Sequence, residues 1–255
     1  MSLPRFFHPQ LPPDGDVALD DAEARHASNV LRLELGAEVI LFDGCGGEAR
    51  GTVAAMDKRS VVVSITARTD SNRELRRPLE LLVALPKGDR QKTLVDGLVQ
   101  LGVTRLIPLI CQRGVAQPTA SALERLQRGV VESSKQCGRN QLMAISAPYT
   151  ISQAISQQYI SESDGQFRLR CVAHPYGTRQ TLSELALSEL ARSELADCQA
   201  GQVAGGIMAV GPEGGFTDAE MQQWAQAGWP AVDLGPRILR VEMAALQLAA
   251  WWSSL

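Results

Sequence analysis

Between Arg68 and Pro78 the chain reads R-T-D-S-N-R-E-L-R-R-P, and no hydrophobic period survives there. The pattern differs on the two sides, so this stretch divides the chain into regions that must fold by different rules, residues 1–72 and 73–255. Before it, short runs alternate apolar and polar residues: Glu38 to Phe42, Ala49 to Met56 and Ser60 to Ala67, separated by Asp43-Gly44-Cys45-Gly46-Gly47 and by Asp57-Lys58. Period two with glycine-rich punctuation predicts a small antiparallel barrel or sandwich. One helix is expected within it, from about Asp21 to Arg32, with Ala22, His26, Val30 and Leu33 at helical spacing. From Leu79 onward buried strands alternate with helices. Strands are expected at Leu79 to Leu85, Arg105 to Cys111, Leu169 to Ala173, Ile207 to Val210 and Ala231 to Leu234. Helices are expected at Arg90 to Leu101, Ser121 to Cys137, Asp218 to Ala227 and Arg240 to Trp252. That order predicts an α/β domain with a mainly parallel sheet covered on both faces. The Ser/Glu/Leu/Ala-biased stretch from Leu182 to Ala196 predicts an exposed amphipathic helix without a functional role.

At 255 residues either region can bury a core without disulfide or metal support. The five cysteines are odd in number, far apart and free of any C-x-x-C pair, which argues for reduced packing residues and no metal site. No apolar run approaches the roughly 20 residues of a membrane helix, and Met1 to Phe7 lacks the pattern of a secretory signal; a cytoplasmic protein is expected. The formal charge of −3 gives no global attraction to nucleic acid, so any RNA contact must be local.

Three glycine loops need to be told apart. Gly44-Cys45-Gly46-Gly47-Glu48-Ala49 fits the dinucleotide pattern G-x-G-x-x-A, but β-patterned sequence follows it and no helix N-terminus is available for a pyrophosphate. A hairpin turn is the better reading. The second loop follows the strand Ile207 to Val210: Gly211-Pro212-Glu213-Gly214-Gly215-Phe216, then the capping box Thr217-x-x-Glu220 that starts a helix. Bare backbone at the C-terminal end of such a strand suits a ligand site, with Gly214 and Gly215 leaving room for a planar group. The third, Leu234-Gly235-Pro236-Arg237-Ile238-Leu239-Arg240-Val241-Glu242, leads from a strand into a helix expected to carry Arg240 and Glu242 in its first turn. A cation there opposes the helix dipole, which suggests another demand on Arg240.

At these residues the chain resembles the small-subunit ribosomal RNA uridine-N3 methyltransferase family of the SPOUT superfamily. The similarity runs through Arg5-Phe6-Phe7, His26 to Arg32 (H-x-x-x-V-L-R), Phe42 to Glu48 (F-D-G-C-G-G-E), Pro86-Lys87-Gly88-Asp89-Arg90, Leu101-Gly102-Val103, Gln136 to Arg139, Gly211 to Phe216 and Leu234 to Glu242. The resemblance implies an N-terminal PUA-like β-barrel that binds RNA and a C-terminal α/β domain containing a trefoil knot. It also implies S-adenosylmethionine held by three loops: Ala173, His174 and Pro175; Gly211, Pro212, Glu213, Gly214 and Gly215; and Leu234, Gly235, Arg237, Ile238, Leu239 and Arg240. A homodimer is implied too, and Val241, Ala244, Ala245, Leu248, Trp251 and Trp252 of the last helix offer an apolar surface for it. Two positions depart from the family. Met243 stands where threonine is usual, and Val99-Gln100-Leu101-Gly102-Val103 where the family has T-E-L-G-V.

The implied activity is methylation of N3 of a uridine in small-subunit (16S) ribosomal RNA, in an assembled or partly assembled subunit. Such a reaction needs positioning and a way to handle the charge and proton of N3. Arg139 and Arg240 are the candidates for charge stabilisation and Glu242 for the proton. His26, on an apolar helical face, is expected to be a packed histidine. Lys87, Arg90, Lys92, Arg125, Arg128, Lys135 and Arg139 are candidates for phosphate contacts. The competing class is a non-catalytic RNA-binding protein with a degenerate methyltransferase domain, against which the glycines at 211, 214, 215 and 235 speak.

Overall fold

The structure, a computed structural model, describes residues 3–57, 60–116, 118–156, 168–175, 180–185 and 205–255. The chain divides into two compact units: Met1–Glu74 with Val130–Leu142, and Leu75–Gly129 with Met143–Leu255.

The first unit is built on a five-stranded sheet. Its strands are β1 (Arg5–Phe7), β2 (Asp16–Ala18), β3 (Glu38–Phe42), β4 (Glu48–Met56) and β5 (Val61–Thr69), in the order β1-β3-β4-β5-β2. Neighbours are antiparallel except β1 and β3, which run parallel. Register shifts on β4 between Arg50 and Gly51 and between Val53 and Ala55 bend the sheet. Alternating residues of this curled sheet, among them Phe6, Val17, Val39, Leu41, Val53 and Val63, form the core. The β3–β4 turn is a hairpin connection: the Asp43 carboxylate accepts from the N–H groups of Cys45 and Gly47, and Gly44 and Gly46 take positive φ. The helix expected from Asp21 to Arg32 is shorter and irregular. α1 spans Asp21–Arg25, capped by the Asp20 carboxylate, and passes into a π-helical turn at His26–Val30. Leu31 N–H reaches back to the His26 carbonyl, and Arg32 then reverses the chain with φ of 52°.

The second unit is a seven-stranded sheet whose pairings are all parallel among the described residues. Its strands are β6 (Leu79–Val83), β7 (Arg105–Ile110), β8 (Ala144–Ile145), β9 (Tyr149–Thr150), β10 (Arg168–Ala173), β11 (Gly205–Val210) and β12 (Ala231–Val232). The path β12-β10-β11-β6-β7-β8 puts β10 and β11 inside the sheet, and β9 pairs with β7. All residues of β6 and β11 are buried, as strands covered on both faces require. The helices are α2 (Arg90–Gln100), α3 (Ala120–Cys137), α4 (Ile151–Ser156), α5 (Asp218–Gln226) and α6 (Val241–Ser253). At Gly97 of α2 a Cβ would come within 2.3 Å of the tip of the Leu246 side chain, so α2 and α6 approach closely there. Of the helix expected at Leu182 to Ala196, residues 182–185 are helical and the remainder lies outside the described residues.

Candidate active site

Three adjacent strands of the second unit end level with one another: Ala173 of β10 pairs with Val210 of β11 on one side and with Val232 of β12 on the other. Their C-terminal loops therefore leave the sheet together, the place where open parallel sheets receive ligands. They line a cleft of about 180 Å³ that opens to solvent. Ala173, His174, Pro175, the run Gly211–Gly215, Leu234, Gly235, Arg237, Ile238 and Leu239 all line it, joined by Val210, Phe216, Asp233, Val241 and Ala244. Arg240 and Glu242 are outside this wall.

Local chemistry fixes each loop. Gly215 N–H closes a turn onto the Pro212 carbonyl at 2.8 Å, and Thr217 and Glu220 form the expected capping box at the start of α5. The second oxygen of Glu220 accepts from Gln112 N–H at 2.7 Å, tying the β7 exit to the same helix start. The glycines are explained by the protein itself. A Cβ on Gly211 would lie 2.9 Å from the Phe216 ring, one on Gly214 would lie 3.3 Å from Arg113, and Gly215 has φ of 69°. The stem of Arg113 lies beside Gly214, and its guanidinium donates to the Gly214 carbonyl at 2.9 Å. In the third loop Asp233 accepts from Gly235 N–H, and Gln247 of α6 holds the Leu234 carbonyl at 3.0 Å.

Arg240 is exposed and extended, and its carbonyl accepts the first bond of α6. It precedes the helix, so the dipole argument for a cation in the first turn does not apply. Glu242 does occupy the first turn, where a carboxylate is favourable. It is 4% exposed, and its Oε2 is buried without a hydrogen-bond partner. Arg90, at the start of α2, reaches Glu213 at 2.8 Å and approaches Glu242 to 3.9 Å. His174 is half-buried, and burial pushes its pKa below the ordinary 6.5 against the opposing carboxylate of Asp218. The departures Met243 and Gln100 are exposed and do not line the cleft.

Arg139 belongs to the first unit, where its Nε donates to Glu74 at 2.9 Å. Beside it lies a second charged cluster. Glu48 accepts from Arg5 at 2.7 Å, Arg73 at 3.1 Å and Ser71 at 3.3 Å, while Asn140 accepts from Arg5 and donates to the Ser71 carbonyl. Burial acts to raise the Glu48 carboxyl, but the hydrogen bonds and charges of Arg5 and Arg73 leave it below its usual range. Segments Arg5 to Phe7, Phe42 to Glu48 and Gln136 to Arg139 thus belong to one polar hub and its surroundings. Of the candidate phosphate contacts, Lys92 pairs with Asp96, Arg90 with Glu213, Arg125 with Gln91, Lys135 with Glu23 and Arg139 with Glu74. His26 packs against the Phe6 ring, as expected of a packed histidine. Burial raises the thiol of Cys171, and burial with the charge of Glu220 pushes Cys111 up to about 12.

Residues 73–253 match the model of the RNA methyltransferase domain, and residues 19–66 that of the RNA methyltransferase PUA domain. The chain belongs to the RNA methyltransferase family. Ribosomal RNA small subunit methyltransferase E of Synechocystis is 31% identical to it over 231 residues, covering 91% of this chain and 70% of that protein. The Bacillus subtilis protein of the same name is 26% identical, over 88% of this chain and 84% of that one. A solved structure of ribosomal RNA small subunit methyltransferase E from Neisseria gonorrhoeae, bound to S-adenosyl methionine, superposes with a TM-score of 0.84 at 29% identity, covering 99% and 98% of the two chains. The fold class is that of the SPOUT methyltransferases with a PUA-like N-terminal domain. Among the described residues no group of three or more His, Cys, Asp or Glu side chains could hold a metal ion. No described helix is long and apolar enough to cross a membrane.

Proposed function

We propose that this chain transfers the methyl group of S-adenosylmethionine to N3 of a uridine in small-subunit (16S) ribosomal RNA. The observation that carries the reading is the cleft at the level ends of β10, β11 and β12. S-adenosylmethionine fits its chemistry. The glycine loop lines the cleft, Leu234, Ile238 and Leu239 offer apolar contact to an adenine, and Glu213 and Asp233 are acidic residues on the wall that suit a cationic ligand. Ala173, His174, Pro175, Gly211–Gly215, Leu234, Gly235 and Arg237–Leu239 would hold it, with Arg240 at the edge. When bound, it supplies a methyl group already activated by the sulfonium.

The protein's own work is then positioning and charge. Arg240, exposed beside the cleft wall, is assigned the stabilisation of negative charge on the uracil oxygens as N3 loses its proton. Glu242 is assigned acceptance of that proton, because its buried Oε2 has unused acceptor capacity. Arg139 is assigned charge stabilisation from the sequence alone; its guanidinium is engaged by Glu74, so its variants must be read for stability as well as rate. We assign RNA binding to residues 1–72 and place the enzyme in the cytoplasm as a homodimer acting on an assembled or partly assembled subunit. The apolar surface on which the dimer was expected is mostly used within the chain, since Val241, Ala244, Ala245, Leu248 and Trp252 are buried; Ile238 and Met243 are the large exposed apolar side chains near the cleft. The trefoil knot is part of the same reading.

Mass spectrometry of small-subunit RNA from a deletion strain tests the assignment. One N3-methyluridine should disappear and return with the gene. An unchanged nucleoside profile, together with calorimetry in which the folded protein binds no S-adenosylmethionine, would favour the non-catalytic RNA-binding alternative.

A further inference from the structure

Arg90 closes the stretch Pro86-Lys87-Gly88-Asp89-Arg90, in which Gly88 turns the chain with φ of 65° and α2 begins at Arg90 itself. A cation in the first turn opposes the helix dipole, so helix stability alone does not account for it. Its guanidinium faces two acids from different loops. Nη2 lies 2.8 Å from Oε1 of Glu213 on the glycine loop, and Nη1 lies 3.9 Å from Oε2 of Glu242 at the head of α6. The Glu242 side chain is only 6% exposed and Oε2 has no hydrogen bond, so Arg90 is a cation within 3.9 Å of a buried, under-satisfied carboxyl group.

We infer that Arg90 is a positioning residue: one planar guanidinium acts as a strut between Glu213 and Glu242 and fixes the separation of two of the three walls that receive the cofactor. The inference rests on the methyl-transfer reading above. A fork of donors on a rigid plane can engage two carboxylates at once, which a lysine ammonium, a point charge on a flexible stem, cannot do with the same geometry. Arg113 holds the neighbouring Gly214 carbonyl, so two arginines outside the three loops bond to the glycine turn. One cation between two carboxylates also leaves a net negative charge, which suits a cationic ligand.

The test uses the full chain and the variants Arg90→Met, Arg90→Lys and Glu213→Gln. S-adenosylmethionine affinity is measured by calorimetry, melting temperature by dichroism, and amide hydrogen exchange of the ligand-free protein over residues 211–215 and 240–245. Arg90→Met should raise Kd by about tenfold or more, in keeping with the cost of small misplacements at a site, lower the melting temperature and speed exchange in both segments. Arg90→Lys should recover the melting temperature, because Glu242 keeps a cation, while Kd stays raised. Glu213→Gln should raise Kd with little change in melting temperature, and the double variant Arg90→Met/Glu213→Gln should bind no worse than Arg90→Met alone. Full recovery of Kd in Arg90→Lys, additive effects in the double variant, or unchanged exchange in Arg90→Met would each overturn the strut. Exchange is read without ligand, so a wild-type protein that fails to bind S-adenosylmethionine would remove the functional reading while the strut is still decided.

Discussion

Two arginine–glutamate clusters, one in each unit, use the same chemistry with opposite charge balance. In the first unit Arg5 and Arg73 both serve one carboxylate, and both oxygens of Glu48 are hydrogen-bonded. In the second, one guanidinium serves Glu213 and Glu242, and one buried carboxylate oxygen goes without a hydrogen bond. The saturated carboxylate joins β1, the start of β4 and the chain beyond β5, with Asn140 bonded to the same arginine, which is what a fixed structural centre needs. The under-satisfied one borders a cleft. A buried acid with its acceptors filled has a structural explanation; one left short of donors beside an open site points to chemistry or to a ligand.

The largest expected effect is on the cleft side. Gly214→Val should weaken S-adenosylmethionine binding by about 100-fold or more with the far-UV dichroism unchanged. The added Cβ would already lie 3.3 Å from Arg113, and the valine branches must displace that side chain and its bond to the Gly214 carbonyl. Normal affinity in this variant would mean that the glycine turn does not shape the cleft. The next effect belongs to the saturated cluster. Glu48→Ala leaves Arg5 buried without its carboxylate and should cost about 3 kcal/mol in urea unfolding, with cofactor affinity in the folded fraction unchanged. The pH dependence follows from the lowered Glu48 pKa: its contribution is present above the ordinary 4.5 and is lost as pH falls through the lower folded value. Glu48→Ala should therefore flatten the acid limb of the stability profile. A Glu48 variant as stable as the parent, or one that loses cofactor binding while folded, would erase the contrast between the clusters.

Much of this was legible in the sequence because it depends on short-range pattern. β3 runs Glu38–Phe42 as its alternation predicts, and the Thr217–Glu220 box and the Gly44–Gly47 turn follow from local hydrogen bonds. The π-turn at His26–Val30 was not legible, because helical spacing fits it as well as it fits an α-helix. The second level was out of reach for a different reason. Glu48, Asn140, Arg90 and Arg113 matter through partners 23 to 152 positions away, and no period or spacing encodes such pairings. The motif around Arg139 offered a signal, but only as a resemblance; that residues 130–142 count with the first unit comes from contacts alone.

The smallest effect sharpens the comparison by separating the two units in pH. His174 lines the cleft, and burial holds its pKa below 6.5 although Asp218 pulls the other way. Between 6.5 and the lower folded value the unfolded chain binds more protons than the folded one. Its contribution to stability is therefore complete above pH 6.5 and declines as pH falls through that window, well before Glu48 titrates. A proton on the imidazole would also face a cationic ligand, so affinity for S-adenosylmethionine should fall on the order of threefold between pH 7.5 and 5.5. His174→Asn should hold affinity level across that range, while the later acid loss of stability, which belongs to Glu48, stays as in the parent. Glu48→Ala should do the reverse. If the asparagine variant keeps the parent's pH-dependent affinity, the titrating group is elsewhere on the cleft, and Glu213 and Asp233 become the next to replace.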